Sequence, residues 1–182
     1  MPPSEVERAV KFLQQGGVVA HATEGVWGLA CDPWNETAVN RVLKIKERSI
    51  DLGFIVIGTD VSSFQDELDA LAPELRRKVE VSWPGHVTWI LPSKRFPDWV
   101  TGKRPSVAAR VPDHKQARKL AMLFGKPVIS TSANVSGSEP ALTMEEVCQQ
   151  FGELVEFVLP GEIGTAVGPS TIRNAVNDIT VR

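Results

Sequence analysis

The run Phe54-Ile55-Val56-Ile57, set between Gly53 and Gly58, constrains this chain more than any other stretch. It is short, β-branched and apolar without alternation, so it reads as a buried strand rather than a half-exposed one. A strand of that kind belongs inside a sheet that other elements cover. Val18-Val19-Ala20 and Pro127-Val128-Ile129 are similar short runs, and Val87 to Leu91 and Ser106 to Val111 also read as strands. The segments 155–159, 170–173 and 179–181 look like short strands or a strand–loop–strand.

Between these runs the apolar spacing becomes helical. Ser4-x-x-Glu7 is a capping box followed by Val6, Ala9, Val10 and Leu13, and Gly16-Gly17 ends that helix. Asn35 caps a second helix with Ala38, Val39, Val42 and Leu43 on one face. Further helices are expected from Pro73 to Val81, from Asp113 to Phe124, and from the capping box Thr143-x-x-Glu146 to about Gly152. Trp83-Pro84-Gly85 is a turn by composition, and Pro92 to Pro105 reads as a long surface loop. Strands and helices mix without strict alternation. The expectation is one α/β (α+β) domain over residues 1–182, a twisted mixed sheet flanked by helices.

Composition removes several function classes. With 20 Lys+Arg against 22 Asp+Glu the net charge is −2, so a nucleic-acid contact would need a local patch. Cys31 and Cys148 are far apart and read as buried thiols. His21, His86 and His114 form no ligand spacing, and no metal site is expected. The N-terminus lacks a basic, then apolar, leader, and no run approaches the ~18 apolar residues of a membrane span. The expectation is a cytoplasmic protein with no membrane association. Phosphate-loop and dinucleotide fingerprints are absent, as are nucleophile-elbow and zinc-protease motifs. No nucleophile–base pair for ordinary hydrolysis is evident.

Three places carry chemistry. Lys44 and Arg48 share a helical face if the second helix continues; Lys46 and Arg48 point the same way if the chain becomes extended after residue 45. Such cations also complement a helix C-terminus. Ser130-Thr131-Ser132-Ala133-Asn134 leaves the carboxyl end of a strand, where small hydroxyls and backbone N–H groups suit phosphate or carboxylate oxygens. An ordinary Ser/Asn turn is the plainer reading. Arg110 lies within Val107-Ala108-Ala109-Arg110-Val111, where a guanidinium must be paired, either by a structural partner or by a bound anion.

In order along the chain, six stretches resemble the YrdC family. They are Thr23-Glu24-Gly25-Val26-Trp27-Gly28-Leu29, Lys46-x-Arg48, Trp83-Pro84-Gly85-His86-Val87-Thr88, Ala109-Arg110-Val111-Pro112, Ser130-Thr131-Ser132-Ala133-Asn134-x-Ser136-Gly137 and Pro169-Ser170-Thr171-Ile172. Each motif is modest alone; their colinearity is specific. The resemblance is to the short bacterial form and implies a YrdC/RibB-like fold with a concave, basic cleft.

The resemblance also implies an activity. Family members join L-threonine, bicarbonate and ATP, with Mg²⁺, to give threonylcarbamoyl-adenylate and pyrophosphate. Partner proteins of the tRNA-modification route then transfer the group to an adenosine beside the anticodon. By resemblance, Lys46 and Arg48 hold phosphates and the carboxylate intermediate. Ser106, Ser132, Asn134 and the Pro140 backbone line the ATP site, which Arg182 closes. Thr23, Gly25, Arg110, Ser130 and Ser170 hold threonine. This chain departs from the family at Gly25 (usually Thr), Ser49 (often Pro), Leu52 (often Lys) and Ile57 (His in some relatives). Two rival readings are an RNA-binding module for tRNA or double-stranded RNA, without catalysis, and a carbamoyl-transfer or adenylate-handling protein for another amine. The basic runs Arg76-Arg77-Lys78, Lys94-Arg95, Lys103-Arg104 and Arg118-Lys119 would favour the RNA module if they shared a face with the cleft.

Overall fold

The structure, a computed structural model, describes residues 2–181. Its frame is one eight-stranded mixed sheet. The strands are β1 (Val19–Ala22), β2 (Trp27–Cys31), β3 (Ile55–Ile57), β4 (Val87–Pro92), β5 (Ser106–Arg110), β6 (Val128–Ser132), β7 (Phe157–Val158) and β8 (Thr171–Asn174). Their order is β7-β1-β2-β6-β3-β5-β4-β8. The apolar run at 54–57 supplies β3, paired with β6 on one side and β5 on the other.

Among the described residues seven α-helices flank it: α1 (Glu5–Gln14), α2 (Glu36–Lys46), α3 (Gln65–Asp69), α4 (Pro73–Val81), α5 (Asp98–Thr101), α6 (Lys115–Phe124) and α7 (Met144–Phe151). The capping boxes at Ser4 and Thr143 form, and Asn35 accepts from the Ala38 N–H.

Because side chains alternate along a strand, each face of the sheet has its own core. On one face Ala20, Trp27, Leu29, Val56, Ala109 and Ile129 pack under α2, α4, α5 and α7 through Val39, Val42, Val79, Val100, Val147 and Phe151. On the other, Val19, Ala30, Ile57 and Val128 meet Val6, Val10 and Leu13 of α1 and Leu120 and Phe124 of α6. The helices α1 and α6 cover only part of this second face. Beyond them it continues through Gly28, Ile90, Ala108, Arg110, Ser130 and Ser132, which line a cleft. The small residues among them, Gly28, Ala108, Ser130 and Ser132, leave the sheet surface open where no helix sits.

Several expectations need correction. Trp27–Cys31 is a strand, although Gly28 and Ala30 weaken its β signature. The stretch 92–105 is not a simple surface loop: it carries α5, and Phe96 and Val100 enter the core. The α6 helix begins at Lys115 with His114 as its cap, two residues after Asp113. Residues 179–181 contribute one bridge, from Thr180 to Arg173, rather than a strand. Cys31 is buried, but Cys148 is exposed on α7.

Candidate functional site

The two cations of the Lys-x-Arg pair have different surroundings. The α2 helix runs through Lys46 and stops at Glu47, whose left-handed φ of 48° turns the chain out of the helix. Arg48 therefore follows neither a continuing helix nor a plain extended strand. Lys44 stays exposed on α2, while Lys46 is buried. The Lys46 ammonium donates to the Ser132 carbonyl, the Asn134 carbonyl (2.9 Å) and Asn134 Oδ1 (3.1 Å). That engages all three donors of the ammonium. The backbone carbonyl of Lys46 also accepts from the Ser136 N–H at 2.8 Å. Burial, and secondarily the Arg48 charge, push the Lys46 pKa down to about 8. Arg48 is half-buried, donates to the Gly53 carbonyl at 3.0 Å and lies 5.7 Å from the Phe54 ring centroid.

The Ser130–Asn134 stretch is part strand, part turn. Ser130, Thr131 and Ser132 belong to β6, and the turn begins after them. Asn134 is held by its own amide: Oδ1 accepts from Ser132 Oγ at 2.6 Å, and Nδ2 donates to the Val135 and Ser138 carbonyls. Lys46 and Asn134 thus shape the loop that follows β6.

Arg110, at the end of β5, forms a buried ion pair with Glu24 at 3.1 Å, the two side chains being 7% and 8% exposed. Glu24 also accepts from the Asp113 N–H at 2.8 Å. Arg110 lines the cleft as well, so the structural partner and the cleft position coexist. Around it lie Thr23, Ser130, Ser170 and His86. The Thr23 hydroxyl donates to the Val26 carbonyl at 2.7 Å, and the Ser170 and Thr88 hydroxyls are 2.7 Å apart. Burial and the charge of Arg110 lower the His86 pKa.

At the other end of the cleft lie Arg48, Leu52, Ser106, Arg104 and Ser132. Arg104 donates to the Asp51 carbonyl and, at 3.4 Å, to that of Leu52. Leu52 is 55% exposed.

Of the expected site residues, Thr23, Arg48, Ser106, Arg110, Ser130, Ser132 and Ser170 line one cleft. Lys46 and Asn134 stand behind its Ser132 wall, and Pro140 lies further along the same loop. Gly25 lies under a strap formed by residues 164–168, which is tied to Thr23 and Glu24 by backbone hydrogen bonds. A Cβ at Gly25 would lie 2.2 Å from the Gly168 carbonyl oxygen, so this close approach requires glycine. Arg182 lies outside the described residues. The sequence reading missed Arg104, read there only as part of a basic run, and His86, quoted only as part of a motif. It also missed the buried contact between His21 and Ser130, 3.1 Å apart and 109 positions distant in sequence.

Comparison with known proteins bears on this arrangement. A family model for Sua5/YciO/YrdC, described as telomere recombination, matches residues 11–181. A threonylcarbamoyl-AMP synthase of Vibrio vulnificus is 46% identical over 182 residues, covering 98% of each chain. One from Nitrosococcus oceani is 42% identical over 174 residues, covering 95% of this chain and 94% of its own. Among solved structures, P. abyssi Sua5 complexed with L-threonine superposes with a TM-score of 0.87 at 29% identity, over 96% of this chain. This chain spans about half of that protein, 52% of its length. E. coli YciO superposes with a TM-score of 0.84 at 25% identity, covering all of this chain and 90% of its own.

Proposed function

We propose that this chain, which belongs to the Sua5/YciO/YrdC family, is a threonylcarbamoyl-AMP synthase, the activity named for its 40–46% identical relatives. It is a nucleotidyltransferase that joins L-threonine, bicarbonate and ATP, releases pyrophosphate and starts a tRNA modification. The observation that carries this reading is the two-ended cleft, with a buried guanidinium among hydroxyls at one end and one half-buried and one exposed guanidinium beside small hydroxyls at the other.

The chemistry asks for that division. Bicarbonate loses hydroxide to give CO₂, the neutral threonine amine adds to its carbon, and the amine proton leaves with the hydroxide as water, giving an N-carboxylate. One of its oxygens attacks the α-phosphorus of ATP, the bond to the β-phosphate oxygen breaks, and pyrophosphate leaves with the electron pair. Negative charge accumulates on oxygen throughout, so donors and cations matter more than a protein nucleophile. Arg110, held in place by Glu24, takes the amino-acid carboxylate, with Thr23, Ser130, Ser170 and the backbone near Gly25 around it. Arg48, Ser106 and Ser132 face the nucleotide, and the family resemblance adds the Pro140 backbone and Arg182 as nucleotide contacts. Lys46 acts through the Ser132–Asn134 carbonyls it holds, and reaches a phosphate only by giving one of them up.

Among the described residues no group of three or more His, Cys, Asp or Glu is placed to hold a metal ion. The carboxylate beside the cleft, Glu24, is engaged by Arg110. These residues do not build a resident metal site; Mg²⁺ enters as part of the MgATP substrate, coordinated by phosphate oxygens and water.

Little favours the RNA module. Of its basic runs, Arg76 pairs with Asp69 and Glu80, Lys78 with Asp178, Arg95 with Glu67 and Arg118 with Asp113. Among the described residues no helix is long and apolar enough to cross a membrane. We place the protein in the cytoplasm, passing its product to tRNA-modifying partners, with any direct tRNA contact weak and local. The test is pyrophosphate release with threonine, bicarbonate and MgATP, each omitted in turn. Release should require all three; equal turnover without threonine would make the protein a plain ATPase, and a preference for another amine would redirect the substrate.

A further inference from the structure

His21 sits on β1 with no solvent exposure. Its ring contacts the Ala22 carbonyl through Nδ1 and Ser130 Oγ through Nε2, both at 3.1 Å. The contact spans two strands, because β2 lies between β1 and β6. What makes it possible is Gly28, the register partner of His21. A Cβ on Gly28 would sit 3.2 Å from Ser130 Oγ and 3.3 Å from His21 Nε2, crowding both.

The protons on this pair can be counted. A carbonyl oxygen only accepts, so Nδ1 carries a hydrogen and donates it to Ala22. Burial opposes a charge on the ring, as do the neighbouring His114 and Arg110, and these push its pKa down to about 4. The neutral ring has one N–H, already placed on Nδ1, so Nε2 is a bare acceptor. Ser130 must then donate its hydroxyl proton to Nε2.

We propose that His21 is a positioning residue that fixes the polarity of the cleft by taking the Ser130 proton, leaving Ser130 only lone pairs to offer a ligand. Such a hydroxyl welcomes an ammonium or another donor and repels a carboxylate or phosphate. Arg110, lining the same cleft, has the opposite preference. Together the two give an α-amino acid one productive orientation, carboxylate to Arg110 and amine to Ser130, with the amine's own lone pair freed by the ordinary loss of a proton to water. This rests on the amino-acid reading of the cleft given above, and it assigns to His21 the discrimination between an amine and an isosteric hydroxyl.

Two measurements test it. Nitrogen-15 NMR of the ligand-free full chain should show His21 as the neutral Nδ1–H tautomer; an Nε2–H ring would make Ser130 a donor to the cleft and overturn the proposal. In the second, wild type, His21→Phe and His21→Gln are compared for KM and kcat with L-threonine, and for inhibition by 2,3-dihydroxybutyrate of matching stereochemistry. His21→Phe should raise the threonine KM by about tenfold, the weight of one hydrogen bond to a charged group. Its ATP KM should stay unchanged, and its preference for threonine over the hydroxy acid should shrink. His21→Gln offers an amide oxygen to the Ser130 proton and should recover most of the loss. A folded His21→Phe protein with unaltered threonine KM and selectivity would overturn the proposal. If wild type showed the expected tautomer but used no threonine, the synthase reading would fail instead.

Discussion

The two ends of the cleft are built differently. The Arg110 end is buried and already complete: Glu24 holds the guanidinium, the Asp113 N–H holds Glu24, and the hydroxyls around it hold one another or backbone. The Arg48 end is more open: Arg48 is half-buried and donates to the Gly53 carbonyl, and Arg104 is exposed and donates to the Asp51 and Leu52 carbonyls. A cation near solvent keeps much of its hydration until a ligand arrives, whereas a buried arginine must be neutralised by folding itself. One end is thus set by folding, while the other stays open to solvent.

The sharpest way to break this contrast is at Arg110. Arg110→Met leaves the Glu24 carboxylate buried without its cation, which costs about 3–5 kcal/mol of stability. Urea unfolding should show that loss, together with loss of threonine-dependent pyrophosphate release. Adding Glu24→Gln removes the orphaned charge while keeping an oxygen for the Asp113 N–H. Stability should then largely return and activity should not. If activity returned as well, Arg110 would be a structural residue only.

Lys46 tests the boundary between the two ends. Lys46→Met should lower the rate by about ten- to a hundredfold, the weight of a hydrogen bond to a charged group, because the Ser132–Asn134 turn loses its anchor. The pH dependence has a definite sign. The folded-state pKa, about 8, lies below the ordinary 10.5, so between those values the unfolded chain binds more protons and stability from this group rises with pH. Wild type should gain stability through that window relative to Lys46→Met, while its activity falls above about pH 8 as the ammonium is lost. A wild-type rate that stayed level to pH 10 would remove the need for a charged Lys46.

Leu52 carries the smallest effect and belongs wholly to the open end. Being 55% exposed, it contributes little to the core. Leu52→Lys should tighten binding of a nonhydrolysable ATP analogue by about tenfold, near 1.4 kcal/mol, with melting temperature unchanged. Calorimetry and thermal melting read the two separately. Unchanged affinity would mean that Arg48 and Arg104 already supply the phosphate end, and lost stability would make Leu52 a packing residue.

Much of this protein was determined by sequence. The buried run at 54–57, the capping boxes at Ser4 and Thr143 and the Asn35 cap each act over a few residues, so their outcome is local. The colinear motifs likewise identified Arg110, Ser130, Ser170 and Arg48 as neighbours of one cleft. Tertiary structure decided what those neighbours do. Whether Arg110 meets an acid depended on Glu24 folding across from another strand end. Whether Lys46 faces the cleft or stands behind it depended on where α2 stops and which carbonyls the turn after β6 presents. The strand at Trp27–Cys31 looked unpromising because glycine and alanine have weak β preference, yet its position between β1 and β6 stabilises it regardless. The same glycine, too small to predict a strand, is what lets His21 reach Ser130. Hydrogen bonds between residues a hundred positions apart have no local signature, and only the packed sheet brings them into being.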